Sequence, residues 1–109
     1  MFLARVTGHV VATAKDKILI GQRLMVIEPL NVRFESGSST PAALGNTGRA
    51  IVAIDAVGCG EGQLVLVVQG SSARMTEVTK NLPADAVIVG IVDSAMIGGK
   101  KFDSSSFGS

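Results

Sequence analysis

Few side chains in this 109-residue sequence have the reach for chemistry. Cys59 and His9 could in principle supply a nucleophile and its base. They stand far apart in the chain, and no spacing provides a third group to orient the base. A half-buried structural thiol is the simpler reading of Cys59. A zinc site asks for about four Cys, His or carboxylate ligands, and no such cluster is spaced for it. Asp55, Asp85 and Asp93 each fall at the end of an apolar run. Capping a turn or pairing with arginine is the ordinary duty of aspartate there. Gly58-Cys59-Gly60-Glu61-Gly62 could cradle an anion on its backbone amides. It lacks the Lys-Ser/Thr pair and the strand-to-helix setting of a phosphate loop. It reads as a structural turn at Asp55, Gly58 and Gly60 that needs positive φ. The expectation is a protein that is not an enzyme, with no catalytic residues, no cofactor and no metal.

Gly70-Ser71-Ser72-Ala73-Arg74 reads two ways. Ser71 or Ser72 could cap a short helix and leave Arg74 in solvent. Alternatively, small residues let neighbouring chains approach closely, and Arg74 forks onto an acceptor across an interface. The residues alone leave the two readings level.

The elements that would carry these residues are short strands. Leu64-Val65-Leu66-Val67-Val68 and Ala86-Val87-Ile88-Val89-Gly90-Ile91-Val92 are unbroken apolar runs rich in β-branched residues. Neither alternates apolar with polar, so each is expected to bury both faces. Phe2 to Thr13 reads as a first strand, with Phe2, Ala4, Val6, Gly8, Val10 and Ala12 sharing the core face. Gly8 in its middle predicts a bulge or sharp bend. Leu24 to Ile27 reads as a second strand stopped by Glu28-Pro29. Asn31 to Gly48 reads as a long Ser/Gly-rich loop. Arg49 to Asp55 is a third strand, and Ser71 to Asn81 has room for a short helix ended by Pro83. Ser94 to Ile97 is a short sixth strand. Together these predict an all-β fold, a small barrel of five to six strands with one short helix. The domain is expected over residues 1–97, with a flexible Ser/Gly-rich tail over 98–109.

Composition narrows the function. Net charge is +1, with no Trp or Tyr. That speaks against a nucleic-acid partner, which asks for a basic patch and stacking rings. No apolar stretch approaches the ~20 residues of a spanning helix, and Arg5 and His9 interrupt any signal-peptide core, so no membrane partner is expected. A single cysteine fits a reducing cytosol. Hydrophobic residues make up 47% of the chain and mean hydropathy is +0.44. A domain this small cannot bury so much apolar surface alone, so an oligomer is expected.

These residues resemble the EutN/CcmL family, the vertex proteins of bacterial microcompartment shells. Ala4-Arg5-Val6-Thr7-Gly8 and Val10 to Lys15 look like the family's opening strand and turn, continued by Gly21, Leu24, Pro29 and Leu30. Ala53-Ile54-Asp55-Ala56-Val57-Gly58-Cys59-Gly60 is similar to its Asp-x-Val-Gly-x-Gly segment. Gly70-Ser71-Ser72-Ala73-Arg74 looks like its Gly-Ser-Ala/Ser-Ala-Arg signature. Pro83 to Ala86, with Gly90-Ile91-Val92-Asp93, resembles its closing strand, which includes Asp85 and Asp93. The Phe34 to Gly48 stretch departs from the family, being longer than its compact acidic turn.

The resemblance implies an OB-like β-barrel assembled as a cyclic homopentamer. Such pentamers cap the vertices of a cytoplasmic carboxysome or metabolosome shell whose facets are hexameric tile proteins. Gly70 to Arg74 is expected at a subunit contact or the central pore, because it follows a strand with two buried-type faces and Ser71, Ser72 and Ala73 are small enough for close backbone approach. Asp55, Asp85 or a small anion at the axis would then answer the Arg74 charge. The competing readings are a nucleic-acid-binding OB module and a non-catalytic subunit of an oligomeric enzyme.

Overall fold

The computed structural model describes residues 1–13, 21–34, 41–70, 85–97 and 99–103. Eight strands carry most of them: β1 Phe2–Val10, β2 Arg23–Phe34, β3 Pro41–Asn46, β4 Ile51–Asp55, β5 Leu64–Gln69, β6 Ala86–Val92, β7 Ser94–Ile97 and β8 Lys100–Asp103. Five of these close a barrel in the order β1-β5-β6-β4-β2, with β2 pairing back onto β1. All its pairings are antiparallel except β4 with β6. The expected small barrel is therefore the observed fold. The helix expected over 71–81 lies outside the described residues.

The registers show how so few strands close. From Val10 the ladder steps to Leu24, Ile54, Val87 and Val68. The neighbouring Val67 pairs with Phe2, so the ladder returns to β1 near its opposite end. Strong stagger of this kind accompanies strand tilt in a closed sheet. Two bulges help it bend. In β1 the register passes from Val6↔Ile27 to Gly8↔Val26, leaving Thr7 as the extra residue beside Gly8. In β6, Val89 is extra between Gly90 and Ile88. Bulges bend a strand and raise its twist, which suits barrel corners.

The interior is aliphatic. Ala4, Val6, Met25, Ile27, Val65, Val67 and Ile88 fill the barrel together with Cys59, and Phe2 and Ile51 pack against them. A second, smaller cluster of Ile54, Val68 and Val87 draws in Leu24, Ala56 and Val89. In β5 both faces are covered, as the unbroken run suggested: Leu64, Val65, Val67 and Val68 are all buried. In β6 this holds only for Ala86 to Ile88, whereas Ile91 is 41% exposed. The reason is the short parallel ladder. β4 pairs with β6 only at Ile54↔Val87 and Asp55↔Ile88, then turns away.

Three boundaries differ from expectation. β2 does not stop at Glu28-Pro29 but runs on to Phe34. Its ladder with β4 ends at Ile27↔Ile51 and its ladder with β3 begins at Leu30↔Asn46. Pro29 falls in the gap between them, where a missing N–H breaks no ladder bond. The gap is held by side chains: Thr47 Oγ1 donates to the Pro29 carbonyl at 2.7 Å, and the Gly48 amide donates to Glu28 at 2.8 Å. Asn31 to Gly48 is accordingly not all loop. Asn31 to Phe34 and Pro41–Asn46 are the arms of a hairpin. Finally, Lys100–Asp103, read as part of a flexible tail, form β8 on β7, from Ser94↔Asp103 to Ile97↔Lys100. Phe102 there is only 4% exposed, which gives this stretch an anchor that glycine and serine counts conceal.

Candidate functional site

β1, β4 and β6 run in one direction and β2 and β5 in the other. One end of the barrel therefore gathers the exits of β1, β4 and β6 and the entries of β2 and β5. The Asp55 to Gln63 turn lies there. Gly58 and Gly62 have φ of 82° and 88°, the left-handed region that glycine enters freely.

Four donors converge on the Asp55 carboxylate. Oδ1 accepts from the Val57 amide at 3.0 Å and the Gly58 amide at 2.9 Å, and Oδ2 accepts from the Cys59 amide at 3.0 Å and Arg23 Nη1 at 2.8 Å. The same Arg23 Nη1 donates to the Cys59 carbonyl at 3.0 Å. Burial alone would raise the Asp55 pKa, but the amides of Val57, Cys59 and Gly58 outweigh it and hold it below the ordinary carboxylate value. The group stays ionised and fully engaged. It clasps the turn and has no capacity left for acid–base work. It is equally unavailable to a neighbouring chain, which removes Asp55 from the acids that could answer Arg74.

Further bonds fix the turn to the barrel. The Gly60 amide donates to Gln63 Oε1 at 2.7 Å. The Gly62 amide donates to the Val6 carbonyl at 2.8 Å, and the Val6 amide to the Gln63 carbonyl at 3.0 Å. Cys59 is buried and its thiol is pushed up to about 11, by burial first and then by the Asp55 charge. A thiol so shifted is a poor nucleophile. His9 does not serve it as a base: its Nδ1 pairs with Glu61 at 2.8 Å on the exposed surface. Among the described residues no group of three or more His, Cys, Asp or Glu is placed to hold a metal.

The other end of the barrel carries Gly70 and Asp85. The Gly70 amide donates to the Asp85 carbonyl at 2.9 Å, and Gly70 has φ of 64°. Ser71, Ser72, Ala73 and Arg74 lie outside the described residues. Asp93 is exposed in the bend between β6 and β7. Asp55, Gly58 and Gly60 thus sit together at one end, Gly70 and Asp85 together at the other. Arg23 and Glu61 were not singled out from the sequence. Arg23 opens β2 beside Asp55, with Arg23↔Asp55 as a register pair, and only the strand pairing reveals it.

Comparison with known proteins agrees with this architecture. The family model described as ethanolamine utilisation protein EutN/carboxysome matches residues 1–93. The shell vertex protein EutN of Salmonella typhimurium is 39% identical over 92% of this chain and 91% of its own. The structure of CcmL from Gloeobacter violaceus superposes with a TM-score of 0.78 at 27% identity, covering 96% of this chain and 99% of that one. The pentameric microcompartment shell protein GrpN of Rhodospirillum rubrum gives a TM-score of 0.66 at 39% identity, covering 85% of this chain and 94% of that one. The chain belongs to the EutN/CcmL family.

Proposed function

We propose that this protein is a structural component of a bacterial microcompartment shell, a ring of five copies that caps the shell's vertices in the cytoplasm. One observation carries the reading. GrpN of Rhodospirillum rubrum, whose structure shares this barrel over 85% of the chain, is a pentameric shell protein. The chemistry of the site supports a structural role, since its carboxylate is saturated and its thiol suppressed. Ring partners are further copies of the chain, and facet partners are hexameric tile proteins. Gly70 to Arg74 meets a neighbouring copy or the central axis, where Asp85 or a small anion answers Arg74. Nucleic acid is not a partner.

Native mass spectrometry of the purified chain tests the ring and should give five subunits. Co-expression with hexameric tiles, followed by electron microscopy, tests the cap. Closed polyhedral shells should need this chain. Shells that close equally well without it, or a monodisperse monomer at micromolar concentration, would sink the reading.

A further inference from the structure

The two edges of β6 are bordered unequally. On one edge β5 accompanies it as far as Leu64↔Val92. On the other, β4 pairs only at Ile54↔Val87 and Asp55↔Ile88, and the Ala56 amide donates to the Ile88 carbonyl at 3.2 Å. From Val89 to Val92 this second edge meets no strand among the described residues. Ile91 there is 41% exposed. Gly90 stands in the middle of the stretch. It pairs with Leu66, and Leu66 with Leu3. This row lies on the outer face of the barrel, since Val65 and Val67 on either side of Leu66 belong to the core and side chains alternate along a strand. Leu3 and Leu66 are half-buried, and at Gly90 the row has no side chain.

β8 runs back toward that edge. It pairs antiparallel with β7 from Ile97↔Lys100 to Ser94↔Asp103, and β7 follows β6 after the single residue Asp93. Phe102, buried at 4% exposure, anchors the end of β8. Residues 104–109, Ser-Ser-Ser-Phe-Gly-Ser, lie outside the described residues. A chain continuing β8 in the same direction would run antiparallel to β6, whose other edge β5 already fills. The register of the ribbon, carried past Asp93, sets Ser105 opposite Val92 and Phe107 opposite Gly90.

We propose that residues 104–108 add to the unpaired edge of β6 in the same subunit, as a strap with Phe107 laid over Gly90 against Leu66. Glycine inside a strand often marks a close approach by another backbone, and an aromatic ring beside an edge glycine covers what glycine leaves bare. Side chains alternate between faces, so a slip of one residue would carry Phe107 away from this row. The strap has two effects. It occupies backbone donors and acceptors that would otherwise be a template for pairing with foreign chains. It also gives the ribbon a continuous third partner, and two strands alone are marginally stable in water. The contact lies within one subunit and holds whether or not the ring forms.

The test is disulfide capture in the full chain carrying Gly90→Cys and Phe107→Cys. Gly90 accepts a side chain: it is outside the positive-φ set, and an added Cβ would meet Leu66 Cβ at an ordinary 3.6 Å. A disulfide needs Cα atoms about 4.4–6.8 Å apart, the spacing of directly opposed strand residues. In a glutathione redox buffer this pair should close within the monomer roughly tenfold more readily than Gly90→Cys with Ser105→Cys. Native Cys59 is buried and leaves a quiet background. Equal yields from the two pairs would overturn the proposal. So would a covalent dimer on a non-reducing gel, which would put the strap on another copy. A second arm keeps Gly90 in place. Amides of Val89 to Val92 should exchange hydrogen roughly tenfold faster in Phe107→Ala, and in a chain ended at Asp103, than in wild type, with circular dichroism unchanged. Exchange unaltered by removal of residues 104–109 would overturn the strap.

Discussion

Arg23 and Asp55 are bonded at 2.8 Å across very different surroundings: the Arg23 side chain is 54% exposed and the Asp55 side chain 0%. Water can take over from one partner but not from the other. Asp55→Ala leaves three amides without an acceptor, and should cost about 3 kcal/mol. Arg23→Ala removes a partner that is half in solvent, and should cost about 1 kcal/mol or less. Urea unfolding of both variants checks this, and equal losses would show that the ion pair outweighs the amide bonds.

Acid should loosen the same clasp. The Asp55 pKa is depressed in the folded protein. Its contribution is therefore present above the unfolded-state value, near 3.9, and is lost as pH falls through the lower folded value. The wild type should keep this contribution at neutral pH and lose it below about pH 4. Asp55→Asn should lose less stability than wild type over that range. Parallel pH-stability curves for the two would contradict the assignment.

Cys59 should be silent to thiol reagents in the native protein and react on unfolding. Its raised pKa keeps the thiolate scarce at pH 8, and burial blocks access. Cys59→Ala opens a small gap in the barrel's core cluster and should cost about 1 kcal/mol. The ring should persist. Rapid stoichiometric labelling of the folded chain would contradict the burial.

Two glycines of the turn should separate cleanly. Gly58 has φ of 82° with nothing near a built Cβ, whereas Gly60 is outside the positive-φ set and its Cβ would meet Gln63 Oε1 at an ordinary 3.9 Å. Gly58→Ala therefore carries a purely conformational cost, about 1 kcal/mol. Gly60→Ala should be near neutral. Thermal melts of the pair decide, and the reverse order would mean that the turn is held otherwise.

Arg74→Ala should weaken the ring more than it unfolds the subunit, because a cation at a contact stabilises assembly rather than the barrel. Pentamer fraction against concentration, with circular dichroism alongside, gives the answer. Assembly like that of wild type would make Arg74 a solvated surface residue.

Much of the barrel is written locally. Gly8 marked its bulge because glycine in mid-strand needs a reason, and Ala86 to Val92 gave the bounds of β6 because its apolar run is closed by Asp93. Asp55 and the glycines after it were legible as a turn. What was hidden depends on partners distant in sequence. Pro29 is tolerated inside β2 only because β4 has ended and β3 not yet begun. Arg23 precedes the Leu24 to Ile27 run, and only strand pairing sets it opposite Asp55. Phe102 gained its burial from the fold, not from its Ser/Gly-rich neighbourhood.

The hydrogen bond from Gly70 to Asp85 has a meaning for how such a protein can vary. It lies directly beside the Gln69↔Ala86 pair and fastens the end of β5 to the start of β6. The β5–β6 ladder is thus closed on the barrel side of Gly70 and Asp85, ahead of the chain that joins them. A change at Arg74 therefore lies beyond this closure, where it can alter assembly and leave the strand registers as they are.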